Sequence, residues 1–484
     1  MFAKSNLNFT TYSLCFIIVL FGILFRVYNI NLDAFWWDEI VSFWISDPTI
    51  SLEETLLRHH KLDGSPPIFN ITLKYFHKIF GYETTVGRFL SAILGIFSFI
   101  IISITALQFK DKSSFILLLF LSSFNVYLIS ASQEMRQYSM LIFFSALTIL
   151  LFYKILNEQQ VKKNIFYVFC FFLFQTLTIL CHPFGLILFF SVVLFLSISY
   201  FLYNKNFYYL NLSNILIFFI SIFFLYFYLF SFNLDIFPTW IDKENILKFL
   251  SNLYFSKFFG SRILGLLHLV ILVFLIVKFR KKLFTSFDKR LLLLIFIFLS
   301  YFVPIIYGFL FKPILTEKYI IFVIIPVLIV LSNLLFEIKN KVIKKFLIFI
   351  IVVPTILNLF SESTVRQFFD NRPLYKPDFH STFKEIEKSN KKNFLFTLKE
   401  RESNVNNHIL DALDNFVIKY SKENNFELYH HRKLNKNMLK DNSFWSICLF
   451  EINFDCTDPW IEKRTTTIKQ FNFNRIHLKL LMLN

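Results

Sequence analysis

Residues 12–44 have the sequence YSLCFIIVLFGILFRVYNINLDAFWWDEIVSFW. Their first part, residues 12–30, is apolar and long enough to cross the hydrocarbon core of a bilayer as one helix. Two adjacent carboxylates, Asp38 and Glu39, follow a pair of tryptophans. Because a charge beside a membrane costs free energy, such a pair usually has a function. The simpler alternative is an ordinary acidic loop between two spans.

Composition places the chain among polytopic membrane proteins. Hydrophobic residues make up 56% of the 484 positions and the mean hydropathy is +0.56, well above the balance of a soluble domain. The formal net charge of +17 does not favour nucleic-acid binding, since Lys and Arg are scattered in short loops, as the positive-inside rule expects. Residues 12–30 lack a small-residue cleavage site, so we interpret them as a retained first span of a chain that starts at or near Met1.

Hydropathy predicts about eleven transmembrane helices in a domain that covers residues 1–361. With a cytoplasmic N-terminus, the basic loops lie inside and a long first outer loop covers residues 31–86. An odd number of crossings then places the chain after residue 361 outside. The predicted spans are residues 12–30, 87–108, 113–131, 138–156, 164–181, 184–203, 209–232, 261–279, 291–311, 319–336 and 345–361.

A polar, mixed-charge composition over residues 362–484 predicts a separate extracytoplasmic α/β domain. Cys448 and Cys456 lie in it, and an oxidising exterior would permit a disulfide between them. Cys15, Cys170 and Cys181 are interpreted as buried hydrophobic residues. Four apolar runs typical of strands lie at residues 394–396, 426–429, 444–452 and 476–483, and an amphipathic helix is predicted at residues 411–420.

The predicted orientation collects unusual polar residues on the outer side, where they are expected to converge on one outward-facing cavity. Asp38, Glu39 and Glu83 lie in the first outer loop. Later outer turns contain Glu134, Arg136, Tyr138, His182, Lys312 and Lys318.

Five short motifs occur along the chain in a defined order. They are Trp37-Asp38-Glu39; Ser65-Pro66-Pro67 followed by Phe80-Gly81, Glu83 and Arg88; Glu134-Met135-Arg136-Gln137-Tyr138; His182-Pro183-Phe184-Gly185; and Lys312-Pro313 followed by Lys318-Tyr319. In their order and common sidedness, these motifs resemble those of the polyprenyl-phosphate-dependent glycosyltransferases of the GT-C type. The most similar branch is the bacterial one related to protein O-mannosyltransferases and lipid A aminoarabinose transferases. Lys318 stands where that family has Arg, which keeps the charge but gives up bidentate phosphate geometry.

The resemblance implies a hexosyl- or pentosyltransferase that moves a sugar from a polyprenyl-phosphate donor to a lipid, glycan or protein acceptor. Such a reaction needs a base for the acceptor and positive charge for the phosphate leaving group. Asp38 is then the general base, and Glu39 tunes it or holds the acceptor. The residues assigned to the donor phosphate are Arg136, Lys318 and Lys312, and those assigned to substrate binding are Glu134, Tyr138, His182, Glu83 and Arg88.

Several of these residues also have a structural interpretation. The tryptophans beside Asp38 are typical of an interfacial aromatic belt. Arg136 would form an ion pair with Glu134, and Lys318 would be a snorkelling anchor at the start of a span. His59 and His60 lack a spacing that requires metal binding. Relatives with and without a divalent metal ion exist, and this sequence does not decide between them.

Two other classes of membrane protein remain open as alternatives. A transporter or lipid flippase would also be basic inside, but such proteins tend to have Gly- or Pro-broken spans in paired halves, and only 9 Gly occur here. A polysaccharide polymerase or ligase is chemically close but has its large outer loop late in the chain. In each case we expect a multi-pass protein of the cell inner membrane with no nucleic-acid partner.

Overall fold

The structure is a computed structural model that describes residues 9–31, 35–109, 112–158, 160–231, 254–285, 287–361, 376–389, 393–396, 411–412, 415–416, 427–430, 443–449 and 462–484. It divides into two compact units. The first unit comprises residues 1–28, 64–72 and 88–366, and the second unit comprises residues 29–63, 73–87 and 367–484.

Helices form most of the described chain. In order they are α1 (Phe9–Val27), α2 (Trp37–Ile45), α3 (Leu52–Leu62), α4 (Ile68–Phe80), α5 (Thr84–Thr105), α6 (Lys112–Ser123), α7 (Val126–Ser132), α8 (Tyr138–Asn157), α9 (Val161–Cys181), α10 (Gly185–Tyr203), α11 (Tyr208–Ser231), α12 (Tyr254–Lys257), α13 (Arg262–Lys278), α14 (Arg280–Thr285), α15 (Leu291–Leu310), α16 (Ile324–Phe336), α17 (Lys341–Ser361) and α18 (Phe379–Glu387). The strands are β1 (Asn393–Phe396), β2 (Glu427–His430), β3 (Ser443–Leu449), β4 (Thr465–Phe473) and β5 (Ile476–Leu483).

The predicted fold class, a polytopic helical membrane protein with a small C-terminal α/β region, is confirmed. Among the described residues, 7 helices are long and apolar enough to cross a membrane. The pair α6 and α7, bent by 56° at its break, would make one more. Each of the eleven predicted spans coincides with helix, but α11 and α16 contribute shorter apolar stretches, so the number of crossings stays a prediction.

Helix α16 lies at the centre of the first unit. Every residue from Ile324 to Leu335 is buried, and the helix packs against α6, α13, α15 and α17. Its sequence is apolar all round, which is the pattern of a helix that other helices surround completely. By contrast, α1 and α9 expose apolar side chains along much of their length, as expected of helices that face lipid.

Arg26 is fully buried near the end of α1. Its guanidinium donates hydrogen bonds to the carbonyls of Ser122, at 3.1 Å, and Ser123, at 3.0 Å, and it lies 4.7 Å from the centre of the Phe99 ring. Helix α6 ends at Ser123, where the last carbonyls of a helix have no partner within it. Arg26 therefore caps α6 and ties α1 to α5 and α6.

Helices α5 and α7 approach each other closely at Gly95. A Cβ at this position would lie 2.7 Å from the Cβ of Ser132, closer than real Cβ atoms approach. Only glycine permits this contact, which fixes α7 against α5 just before the turn between α7 and α8. That turn carries the Glu134 motif.

A charged cluster links α14 and the segment before α15 to the residue that follows α16. Arg290 is buried and pairs with Asp288, at 2.5 Å, and with Glu337, at 2.7 Å. Lys282 reaches the same Glu337 oxygen at 2.7 Å. These residues belong to the basic loops that the sequence places on the cytoplasmic side.

In the second unit, buried polar contacts tie α2 and the segment between α2 and α3 to residues 73–87. Lys74 donates to the carbonyls of Asp47, at 2.7 Å, and Ile50, at 2.6 Å. The Tyr82 hydroxyl donates to the Phe43 carbonyl at 2.8 Å, and the two rings stack with their centroids 4.0 Å apart. Burial raises the pKa of Tyr82 well above its ordinary value, so this hydroxyl stays protonated. Helix α4 begins directly after Pro66-Pro67, as a proline at a helix start favours.

The C-terminal part of the second unit contains a mixed five-stranded sheet with the order β2-β1-β3-β5-β4. Strand β1 is parallel to β2 and β3, whereas β5 is antiparallel to β3 and β4. Helix α18 packs against β5 and buries Phe383 and Ile386. The Trp445 indole donates to Ser389 at 2.9 Å, which ties β3 to the end of α18.

One strand of this sheet, β4, was not predicted from the sequence. Strand β4 has the sequence TTTIKQFNF and is an edge strand paired only with β5. Its side chains are mostly exposed, so it has no apolar run to mark it. The other four strands match predicted runs, although Phe426 and residues 450–452 lie outside the described residues.

Two further predictions for this region fall partly outside the described residues. Asp411, Ala412, Asn415 and Phe416 are helical, and the rest of the predicted helix at residues 411–420 is not described. Cys448 is disulfide-bonded, whereas Cys456 lies outside the described residues. Cys15, Cys170 and Cys181 are free, and Cys181 is fully buried. The boundary between domains at residue 361 stays a prediction.

Replacing Arg26 should destabilise the first unit. Methionine restores volume and removes a buried charge, but it leaves the Ser122 and Ser123 carbonyls without donors. We expect Arg26→Met to lower the free energy of unfolding by about 3 kcal/mol. Thermal and denaturant unfolding of the detergent-solubilised protein, followed by tryptophan fluorescence, would measure the change. The exposed Lys341, replaced by methionine in the same way, is the control. Equal stability of the two variants would contradict the capping role.

Candidate active site

The acidic pair lies in the first turn of α2, in the second unit. Trp36 is the N-cap, and the Glu39 side chain accepts a hydrogen bond from its backbone N–H at 3.2 Å. Asp38 and Glu39 also place negative charge at the positive end of the helix dipole. Glu39 is 1% exposed, whereas Asp38 is only half-buried. The two carboxylates therefore have different environments although they are adjacent in sequence.

Glu39 forms an ion pair with Lys376, which precedes α18. The Nζ of Lys376 lies 2.6 Å from Oε2 of Glu39, the same oxygen that accepts the Trp36 N–H. Lys376 is itself only 13% exposed. The sequence does not identify this lysine, because 337 positions separate it from Glu39 and no local pattern marks it.

In the first unit, the turn between α7 and α8 meets the segment between α15 and α16. Nζ of Lys318 lies 3.7 Å from Oε2 of Glu134, with side-chain exposures of 38% and 19%. Arg136 is largely buried two residues further on, at 8% exposure. Lys257 pairs with Glu317, the residue before Lys318, at 2.7 Å. Cations and carboxylates from two distant parts of the sequence thus meet here.

His182 joins a third segment to this cluster. Its ring centroid lies 5.0 Å from that of Tyr319 and 6.3 Å from that of Tyr138. Nδ1 of His182 accepts a hydrogen bond from the Phe184 N–H at 3.2 Å. Because Nδ1 acts as the acceptor, the neutral ring carries its proton on Nε2. We call the group Glu134, Arg136, Tyr138, His182, Lys318 and Tyr319 the polar end cluster.

The structure brings together most of the residues predicted on the first unit. Lys312 is exposed at the end of α15. Arg88 is fully buried in α5, and Glu83 is exposed directly before that helix. Asp38, Glu39 and Glu83 belong to the second unit.

Metal binding was left open by the sequence. Within the described parts of the chain, no group of three or more His, Cys, Asp or Glu side chains is arranged to hold a metal ion. His59 is buried in the last turn of α3 and His60 is half-buried beside it.

Comparisons with known proteins agree with the resemblance drawn from the motifs. The family model for dolichyl-phosphate-mannose-protein mannosyltransferases matches residues 64–226. This stretch includes Glu134, Arg136 and His182 but not Asp38 or Lys318. No curated protein sequence matches the chain.

Solved structures match over almost the whole chain. ArnT from Cupriavidus metallidurans in the apo state has a TM-score of 0.58 and 10% identity, covering 97% of each chain. The chain has the GT-C fold. The same ArnT bound to undecaprenyl phosphate has a TM-score of 0.52 and 10% identity over 97% of each chain.

A third match is more partial. The oligosaccharyltransferase from Archaeoglobus fulgidus, in complex with Zn and sulfate, has a TM-score of 0.50 and 11% identity. It covers 83% of this chain and 61% of that chain, so this GT-C chain spans about three fifths of the archaeal enzyme. At such identities the matches concern the fold, and the individual site residues remain assignments from the motifs.

The hydrogen bond of His182 can be tested without an activity assay. In His182→Asn, the amide Oδ1 stands near the position of Nδ1 and can still accept the Phe184 N–H. In His182→Ala that N–H loses its acceptor. Both variants lose the ring contacts, so we expect the alanine variant to be less stable than the asparagine variant by about 1 kcal/mol. Unfolding midpoints of the two variants measure the difference. Equal midpoints would show that the hydrogen bond does not contribute to stability.

Proposed function

We propose that the protein is a multi-pass glycosyltransferase of the cell inner membrane. It transfers a hexose or pentose from a polyprenyl-phosphate donor to a lipid, glycan or protein acceptor on the extracytoplasmic face. Support comes from the GT-C fold, from the family match over residues 64–226 and from the order of the motifs. One of the matching ArnT structures is bound to undecaprenyl phosphate, which is a lipid phosphate of the proposed donor class.

The observation that carries the proposal is the polar end cluster. Three segments far apart in sequence converge there, through the Glu134–Lys318 and His182–Tyr319 contacts. Helices α9, α10 and α15, which adjoin these segments, are apolar and expose hydrophobic side chains, as a site for an isoprenoid-linked substrate requires. A phosphate at a membrane surface needs cations beside apolar surface, and both are present here.

The geometry of the Glu134–Lys318 pair also suits phosphate binding. At 3.7 Å and with Lys318 at 38% exposure, the pair is loose and partly solvated. Such pairs contribute about 0–1 kcal/mol to stability, so Lys318 is able to turn to another anion at little cost. Arg136 is more buried, and a planar guanidinium can bind two phosphate oxygens together.

In the proposed reaction, an acceptor hydroxyl or amine attacks the anomeric carbon of the donor sugar. The bond between that carbon and the phosphate oxygen breaks, and polyprenyl phosphate leaves with the electron pair. Asp38 takes the proton of the acceptor as general base. Arg136, Lys318 and Lys312 offset the charge that develops on the phosphate. Glu134, Tyr138, His182, Glu83 and Arg88 are assigned to binding or bracing around the substrates.

The first test is made in cells. Envelope glycolipids and glycoproteins are compared by mass spectrometry between wild type, a deletion strain, Asp38→Asn and Glu53→Gln at equal expression. Glu53 is an exposed carboxylate of α3 and serves as the matched control. We expect a glycan mass to disappear in the deletion and in Asp38→Asn but to remain in Glu53→Gln, because only Asp38 accepts the proton.

The other outcomes of this test are equally informative. A normal glycan pattern in Asp38→Asn would remove Asp38 from the catalytic assignment. An unchanged pattern in the deletion strain would contradict the transferase proposal and favour a transporter, which substrate uptake into vesicles would then test.

Arg136 is tested with purified protein and the donor that the cellular product identifies. Removing a charge-stabilising donor typically costs about 10²–10³-fold in rate, so we expect about this loss of kcat/KM in Arg136→Ala and partial recovery in Arg136→Lys. Lys318→Ala should lose less because that side chain is more exposed. Lys341→Met, at the start of α17, is the control for loss of one positive charge. If Arg136→Ala kept wild-type kcat/KM, its assignment to the phosphate would be wrong.

A further inference from the structure

Two groups, a backbone N–H and a lysine ammonium, bind the same carboxylate oxygen of Glu39. Its Oε2 accepts the Trp36 N–H, at 3.2 Å, and the Lys376 ammonium, at 2.6 Å. With 1% of Glu39 exposed, this carboxylate is enclosed by protein. A carboxylate fixed in this way by a close cation serves as a structural anion.

Asp38 is adjacent to Glu39 but lies on a different face of α2. Consecutive residues of a helix are rotated by about 100° and do not face each other. Anchoring Glu39 inward therefore determines the direction in which Asp38 projects. The half-buried Asp38 retains the access that Glu39 lacks.

Lys376 is in turn held by the turn between β4 and β5. Nδ2 of Asn474 donates to the Lys376 carbonyl at 2.8 Å, and the Asp378 N–H donates to the Asn474 carbonyl at 3.0 Å. The neighbouring Arg475 places its guanidinium 4.9 Å from the centre of the Trp36 ring. Arg475 has a φ of 60°, a left-handed conformation that a non-glycine residue rarely adopts. One hairpin turn thus supports both residues that contact the Glu39 oxygen.

A chain of aromatic rings makes a second connection between α2 and the C-terminal region. Phe35, before α2, packs against Phe43 at 5.9 Å and against Phe416 at 5.7 Å between ring centroids. Phe416 lies 5.7 Å from Phe379 in the first turn of α18. All these residues belong to the second unit.

We propose that Lys376 is a positioning residue of the glycosyl transfer reaction: by fixing Glu39 it orients α2 and places Asp38 as the single carboxylate base. The C-terminal region, through Lys376 and the β4–β5 turn, therefore contributes to the catalytic geometry. This inference rests on the proposed function. It also replaces the two motif-based alternatives for Glu39, which were to tune Asp38 or to hold the acceptor.

The test compares Lys376→Met, Lys376→Arg, Glu39→Gln and the double variant Glu39→Gln with Lys376→Met. Lys388→Met is the control, because Lys388 lies at the end of α18 and is 65% exposed. Two quantities are measured on the full-length protein in detergent. They are kcat and donor KM, and the hydrogen exchange of backbone amides in residues 37–45.

We expect Lys376→Met to lower kcat at least tenfold with donor KM within twofold of wild type, because the base is misplaced while the phosphate site is intact. Amides of residues 37–45 should exchange at least tenfold faster. Lys376→Arg should recover most of both properties, and Lys388→Met should match wild type. Wild-type kcat and exchange in Lys376→Met would overturn the proposal.

If Lys376→Met does not fold, the double variant Glu39→Gln with Lys376→Met provides the test. It removes both charges and leaves no unpaired buried carboxylate, so it should fold better than Lys376→Met. Its kcat should nevertheless stay low because α2 has lost its anchor, and a wild-type kcat in it would overturn the proposal.

The exchange measurement separates the two hypotheses. If the wild-type protein transfers no sugar, the proposed function fails, while slow exchange in wild type and fast exchange in Lys376→Met would still support the anchoring of α2. If wild type is active and no variant changes kcat, only the positioning role fails.

Discussion

A bilayer offers no hydrogen-bond partners to the peptide backbone, and this constraint governs the first unit throughout. Long apolar segments satisfy it by forming helices, and α16 can be buried completely because its backbone is satisfied internally. Where a helix ends inside the bundle, another group must supply donors. Arg26 does this for the last carbonyls of α6. A buried arginine in an apolar segment is thus explained by the neighbouring helix end.

Two ion pairs, one in each unit, differ in a way that matches their proposed roles. Glu39 and Lys376 are 2.6 Å apart and nearly enclosed, whereas Glu134 and Lys318 are 3.7 Å apart and partly solvated. A tight buried pair resists rearrangement because separating it leaves an unpaired charge in a medium of low dielectric constant. A loose pair exchanges partners readily. The first is suited to fixing a helix and the second to receiving a phosphate.

In the C-terminal sheet, a strand without an apolar sequence pattern leads into the turn that contacts Lys376 and Trp36. Strand β4 is a polar edge strand, and its turn into β5 carries Asn474 and Arg475. These two residues contact Lys376 and Trp36, which both contact Glu39. Strand β4 could not be recognised from the sequence because it is polar. The turn that follows it is polar as well, and its side chains contact Lys376 and Trp36.

The sequence by itself determined the membrane class, the helices that coincide with all eleven predicted spans, four of five strands and the GT-C resemblance. These depend on local hydropathy and on short motifs, which a linear pattern contains. Only the tertiary structure showed that Glu134 faces Lys318, that His182 packs on Tyr319 and that Lys376 holds Glu39. Such contacts join residues more than one hundred positions apart, and their energies depend on distance and burial, which no local pattern encodes. For that reason Asp38 and Glu39 are one acidic pair in the sequence, whereas in the fold Glu39 is buried and Asp38 is half-buried.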